Sequence, residues 1–110
     1  MARVVWNGAV IAESDATRVV EGNHYFPPGS VNPDHLRPSA KETYCGWKGQ
    51  ASYYDIEVEG ERLPDAAWYY PDPQRAAKAI TGHVAFVRQL DIEDVERRGP
   101  LAAIAKLLGF

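Results

Sequence analysis

Turns come too often in this chain for long helices to form. Nine glycines and eight prolines are spread over its 110 residues and cut most of it into short runs. The strongest turn signal is Asn7-Gly8, inside RVVWNGAVIAES. Both residues accept positive φ, and strand formers stand on either side: Val4, Val5 and Trp6 before, Val10, Ile11 and Ala12 after. Residues 3–13 therefore read as a hairpin. ATRVVEG (16–22) reads as a third short strand closed by Gly22.

NHYFPPGSVNPDHLRPS (23–39) has four prolines and no apolar period. Proline fixes φ and withdraws a donor, so neither a long strand nor a long helix fits here. One helical turn is expected at NPDHL, with Asn32 capping and Pro33 at the first position. KETYCGWKGQ (41–50) reads as strand then turn. In ASYYDIEVEG (51–60), Tyr54, Ile56 and Val58 alternate with Tyr53, Asp55, Glu57 and Glu59. That is a strand with one buried and one wet face, and Gly60 ends it. DAAWYYP (65–71) is a further strand stopped by Pro71. DPQRAAKAITG (72–82) reads as a short helix with Asp72 as its cap, and HVAFVRQL (83–90) as a strand. After Gly99-Pro100, Leu101, Ile104, Leu107 and Leu108 follow helical spacing and predict an amphipathic C-terminal helix. It packs on the sheet or serves a dimer or partner contact. The class is mainly β and antiparallel, with one domain over residues 1–92 and a helical extension over 93–110.

Charge narrows the function classes. Twelve basic against fifteen acidic residues give a net charge of −3, and no Lys/Arg cluster forms a basic face, so nucleic acid is not an expected partner. The single cysteine, Cys45, excludes an internal disulfide and a zinc site built on paired CxxC motifs. No apolar run approaches the length that spans a bilayer. The opening MARVVWNGAV lacks a signal pattern, so the expectation is a cytoplasmic protein without a membrane partner.

The stretch TYCGWKGQASYYD (43–55) concentrates the candidate chemistry. Cys45 is either a nucleophile activated by Lys48 across the turn, or a core residue of a small sheet protein. Lys48, between glycines, either reaches an anionic ligand or is a solvated turn lysine. Trp47, Tyr53, Tyr54, Trp68, Tyr69 and Tyr70 are many aromatics for neighbouring strands. They form either a wall for a planar ligand or cross-strand core pairs. Glu21, at a strand end, is either an acid/base or ligand contact, or an ion-pair partner of Lys48 or Arg37. His24, His35 and His83 show no metal-ligand spacing, and no metal site is expected.

Five stretches in order, VVWNGAVIAES, VVEGNHYFPPGSV, LRPSAKETYCGWKGQASYYDI, DAAWYYPDP and ITGHVAFV, carry a resemblance over about residues 3–91. They resemble a bacterial family catalogued as domain of unknown function four-two-seven, which also carries a nucleotidyltransferase-type name. The resemblance implies a small antiparallel β-tent domain, like Mss4-like proteins and the thalidomide-binding domain of cereblon, without their zinc. Nucleotidyl transfer needs a metal on paired carboxylates and a phosphate cradle, and the chain has neither GSxxxxxxDxD-like spacing nor a Walker loop.

The stretch 43–55 points to a domain that binds a small anionic or planar ligand, and the resemblance makes a nucleotide the first candidate. The expected ligand-binding residues are Trp47, Lys48, Tyr53, Trp68 and Tyr69, with Cys45, Lys48 and Glu21 as the catalytic candidates if there is turnover. The cofactor is left open. A non-enzymatic interaction or homodimerisation module is the alternative.

Overall fold

Three glycine turns set the architecture. In the computed structural model, which describes residues 1–94, strand β1 (Ala2–Trp6) returns as β2 (Ala9–Ser14), and β3 (Arg18–Val20) returns as β4 (Asn23–Tyr25). Later, β6 (Gly49–Val58) returns as β7 (Glu61–Tyr69). Each pair is joined by two residues: Asn7-Gly8 (φ 50° and 79°), Glu21-Gly22 (53° and 79°) and Glu59-Gly60 (49° and 80°). Positive φ at both positions is the turn whose twist matches that of the flanking strands. The Asn7-Gly8 hairpin is as the sequence predicts.

The remaining strands are β5 (Leu36–Cys45), β8 (Val84–Phe86) and β9 (Ile92–Asp94). All pairings between strands are antiparallel, in the orders β2-β1-β9, β3-β4 and β5-β6-β7-β8. Phe26, just after β4, exchanges both backbone hydrogen bonds with Val84, at 2.8 and 2.9 Å. The β3–β4 hairpin thereby extends the larger sheet beyond β8. The protein is mainly β, as expected.

Two cores lie on opposite faces of that larger sheet. The first is shared with the β2-β1-β9 sheet and holds Val4, Ile11, Phe26, Ile56, Val84 and Phe86. Phe26 and Phe86 meet edge to face at 5.5 Å, and Tyr54 stacks on Tyr69 at 4.7 Å. Burial of each such side chain contributes roughly 1.5–3 kcal/mol. The second core holds Tyr25, Ala51, Tyr70, Ala77, Ile80 and Ala85, with Tyr53, Trp68, Cys45 and Val20 packed against it.

The second core revises the reading of β6. Tyr54, Ile56 and Val58 face the first core as predicted, but the face carrying Tyr53 is not simply wet. Tyr25 and the 3₁₀ segment Arg75–Ile80 cover it. That segment was expected as a helix capped by Asp72. Instead Gln74 precedes it with extended ψ (157°) and donates its N–H to the Lys48 carbonyl at 2.8 Å. This bond holds the chain extended past Pro73, so the helical turn starts only at Arg75.

The turn at Pro33–His35 forms as predicted, with the Asn32 side chain accepting from the Asp34 N–H. The expected strand over 83–90 shortens to Val84–Phe86, all three buried. β9 pairs Ile92 with Val4 and Asp94 with Ala2, so Glu93 and Asp94, expected in a helical extension, are in a strand. The predicted helix bearing Leu101, Ile104, Leu107 and Leu108 lies outside the described residues. No helix among the described residues is long and apolar enough to cross a membrane.

Candidate functional site

Cys45 pairs with Gly49, so the β5–β6 connection is the three-residue loop Gly46-Trp47-Lys48. Gly49 at φ 112° closes it. This is the usual form of a three-residue hairpin, in which a glycine takes the conformation that a side chain resists. A Cβ on Gly49 would touch the backbone of Asp72, Pro73 and Gln74 at 3.5–3.6 Å, so the turn is seated against that segment. The Gln74-to-Lys48 hydrogen bond fixes it there.

The seating buries Lys48. It is 6% exposed and is the one buried charged or polar residue among the described residues. Its ammonium donates to the Glu21 carboxylate. It also stands over the rings of Trp47 at 5.2 Å and Tyr70 at 5.7 Å. A buried ammonium without a counter-charge is strongly unfavourable, and ring faces offset only part of that cost. Glu21 supplies the rest from the β3–β4 turn, and its own side chain is 52% exposed. The ion is therefore inside and its counter-ion is at the surface.

Burial by itself would lower the Lys48 pKa. The bond to Glu21, with Tyr25, Tyr70 and Cys45 nearby, outweighs it and holds the pKa above the ordinary lysine value. Burial pushes the Tyr70 phenol up to about 12, with the Lys48 charge pulling the other way. On the opposite face, burial and then the hydrogen bond with Tyr69 push Tyr54 up to about 12.

These shifts predict alkaline sensitivity. As pH rises from 10.0 toward about 12, the unfolded chain loses the Tyr54 and Tyr70 protons while the folded chain keeps them. Stability is full below that window and falls across it. The Lys48 contribution has the same sign: present below 10.5 and lost as pH climbs through the raised value. The urea midpoint is expected to drop between about pH 9 and pH 11.5, and less steeply in a Tyr54→Phe/Tyr70→Phe variant. Equal steepness in both proteins would contradict these environments.

The expected site residues divide between the two faces. Trp47 and Lys48 sit in the turn. Tyr53 and Trp68 pair across β6 and β7 on the second-core face, with ring centroids 6.3 Å apart. Tyr25 meets Trp68 edge-on at 6.4 Å and accepts its indole N–H at 3.2 Å. Tyr69 instead faces the first core, stacked on Tyr54. Trp68 and Tyr69 are consecutive in a strand, and alternation sends them to opposite sides. Of the catalytic candidates, Glu21 and Lys48 bond, and Cys45, half-buried against the second core, is near enough to act on the Lys48 charge. Arg37, the other partner considered for Glu21, bonds the carbonyls of Asp34 and Leu36 instead.

The histidines are engaged elsewhere. His24 shares a hydrogen bond with Thr17, and His35 and His83 lie against the carbonyls of Glu57 and Thr81. None is bonded to Cys45. Among the described residues no group of three or more His, Cys, Asp or Glu could hold a metal.

Lys41 was not singled out from the sequence. It shares the parity of Thr43 and Cys45 on β5, and its ammonium lies 4.9 Å over the Tyr53 ring. Tyr53 shares a hydroxyl hydrogen bond with Thr43 at 3.0 Å. That alternation was the available signal. Lys41 is exposed and in no ion pair with a described residue. One face therefore carries two ammonium groups over aromatic rings, one free and one neutralised.

A cleft of about 250 Å³ opens elsewhere, between the β2-β1-β9 sheet and the β3–β4 hairpin. Ser14, Thr17, His24, Ile92 and Glu93 are among its lining residues, and none of the expected site residues reaches it. Its walls carry no phenylalanine, tyrosine or tryptophan, and Asp15, Glu93 and Asp94 line it. The cleft and the lysine-bearing aromatic face are separate places on the protein.

A family model described as Domain of unknown function (DUF427), under a nucleotidyltransferase-type name, matches residues 1–97. The chain belongs to that family. The comparison with curated proteins finds no match.

Proposed function

We propose that this member of the DUF427 family binds a small ligand in which a planar group adjoins a carboxylate or phosphate, with a nucleotide as the first candidate. The observation that carries this reading is the pair of ammonium groups on one face of the sheet, Lys41 over Tyr53 and Lys48 over Trp47 and Tyr70. Trp47, 43% exposed beside Lys48, supplies a stacking surface. Tyr53 and Trp68 form the wall behind it, both half-buried, with Tyr25 edge-on against Trp68. Tyr69, on the other face, supports the sheet and not the ligand. Cys45 lies at the floor of the cluster. With no histidine bonded to Cys45, the reading is binding and not thiol catalysis. We take the fold as a β-tent of the Mss4-like type and the setting as cytoplasmic.

The test is thermal unfolding against mononucleotides, aromatic carboxylates and their uncharged analogues. A ligand at about 100 times its Kd adds roughly 2.7 kcal/mol, a rise on the order of 10 °C for a domain of this size. The rise is expected for acids and lost in Trp47→Ala, which truncates an exposed side chain and leaves the fold intact. A flat response to every compound contradicts the proposal. It would favour the second reading, a protein-interaction or homodimerisation module, to which Tyr44 (71% exposed) and Val19 (60% exposed) lend themselves.

A further inference from the structure

We infer that Glu21 occupies the place of the ligand's acid group, so that the tip of the β3–β4 hairpin gates access to Lys48. The inference rests on the binding role proposed above and adds how the site is closed. The Lys48 side chain is 8% exposed, whereas that of its carboxylate partner is 52% exposed. Trp47 and Tyr70 lie against the ammonium, and the side toward solvent is the one Glu21 takes. An incoming acid reaches Nζ by replacing that carboxylate.

The exchange is chemically matched. A carboxylate or phosphate offers an ammonium the same kind of charged acceptor that Glu21 does. It is also selective. If Glu21 leaves with nothing replacing it, the ammonium is stranded among aromatic rings. A neutral ligand therefore does not open the site, and an acid does.

The hairpin permits the movement. Glu21 adopts φ 53° in its turn, and Glu59 adopts φ 49° in the equivalent β6–β7 turn without an ion pair to any described residue. The backbone shape of such a turn thus does not depend on the carboxylate being held. Release of Glu21 needs rotation of its side chain, which is already half in water. Lys41, free on the same face, draws the anion in.

The experiment uses two matched pairs of probes: AMP with adenosine, and nicotinate with nicotinamide. Calorimetric titration is carried out on the wild type, Glu21→Gln and Glu21→Gln/Lys48→Met, each well below its own unfolding temperature. At least one acid is expected to bind Glu21→Gln about tenfold or more tighter than the wild type, since loss of the competitor removes a charge-assisted bond from the balance. The gain disappears in the double variant, and the neutral partners do not discriminate the proteins. Which acid responds separates a phosphate site from a carboxylate site. Equal or weaker acid binding by Glu21→Gln, with binding to the wild type intact, overturns the gate alone. Binding of neither acid to any of the proteins overturns the gate and the binding role together.

Discussion

Tyr25→Ala is expected to be the most damaging single substitution on the candidate-site face, lowering the unfolding free energy by about 3–5 kcal/mol. Tyr25 is fully buried, at 0% exposure. Its ring meets Trp68 edge-on at 6.4 Å and Tyr70 at 6.5 Å, and its hydroxyl accepts the Trp68 indole N–H. Alanine removes the ring that covers this face of β6 and β7, and it leaves that N–H without its partner. The next residue, Phe26, carries the backbone bonds to β8, so the surroundings are held and cannot collapse into the hole. Thermal unfolding should show Tm lowered by more than about 10 °C. Tyr25→Phe keeps the ring and loses one hydrogen bond, a change of about 1 kcal/mol. A loss for Tyr25→Ala no larger than that of Tyr25→Phe would show that the second core is not a packed unit.

The Lys48–Glu21 pair should respond unequally to loss of either member. Glu21→Gln leaves the ammonium buried and opposed only by ring faces and a neutral amide. The expected loss is about 1–3 kcal/mol, the cost of an underpaired buried group. It falls short of the full cost of a deeply buried broken pair because Glu21 lies half in water. Lys48→Met keeps the apolar stem against Trp47 and Tyr70 and frees Glu21 to solvent. A buried ion is thereby exchanged for an apolar group of similar length, which is near neutral or stabilising. Urea unfolding of the two variants gives the comparison. A larger loss for Lys48→Met than for Glu21→Gln would mean that the charge contributes net stability where it sits, contrary to its having a use beyond folding.

Local chemistry was legible in the sequence. Asn7-Gly8 and Asn32-Pro33 specify their turns through their own φ preferences, and the alternation of Tyr54, Ile56 and Val58 names the face that meets the first core. The bond of Glu21 to Lys48 is one of the two ion pairs, with Lys48 or Arg37, that the sequence reading sets beside a ligand-contact role for Glu21. What could not be read was non-local. Nothing near Tyr25 in sequence says that the β3–β4 hairpin folds beside β8, and that placement turns the apparent wet face of β6 into a second core. The same placement brings Glu21 to a turn 27 positions away. Gln74, held extended by the Lys48 carbonyl, displaced the start of the expected helix for the same reason. The grouping of Tyr69 with Trp68 is different. The strand period already separates them, and the structure places them as that period requires.

The most direct measurement is a proton–nitrogen NMR spectrum of the tryptophan indole N–H groups during titration with AMP and nicotinate. The chain has three tryptophans, Trp6, Trp47 and Trp68. Trp47 is in the turn beside Lys48, Trp68 is bonded to Tyr25 behind it, and Trp6 packs against the first core. A site at Lys48 predicts a saturable shift of the Trp47 signal, a smaller one for Trp68 and none for Trp6. Movement of Trp6 alone, or three stationary signals at saturating acid, would contradict a ligand site on the Lys48 face.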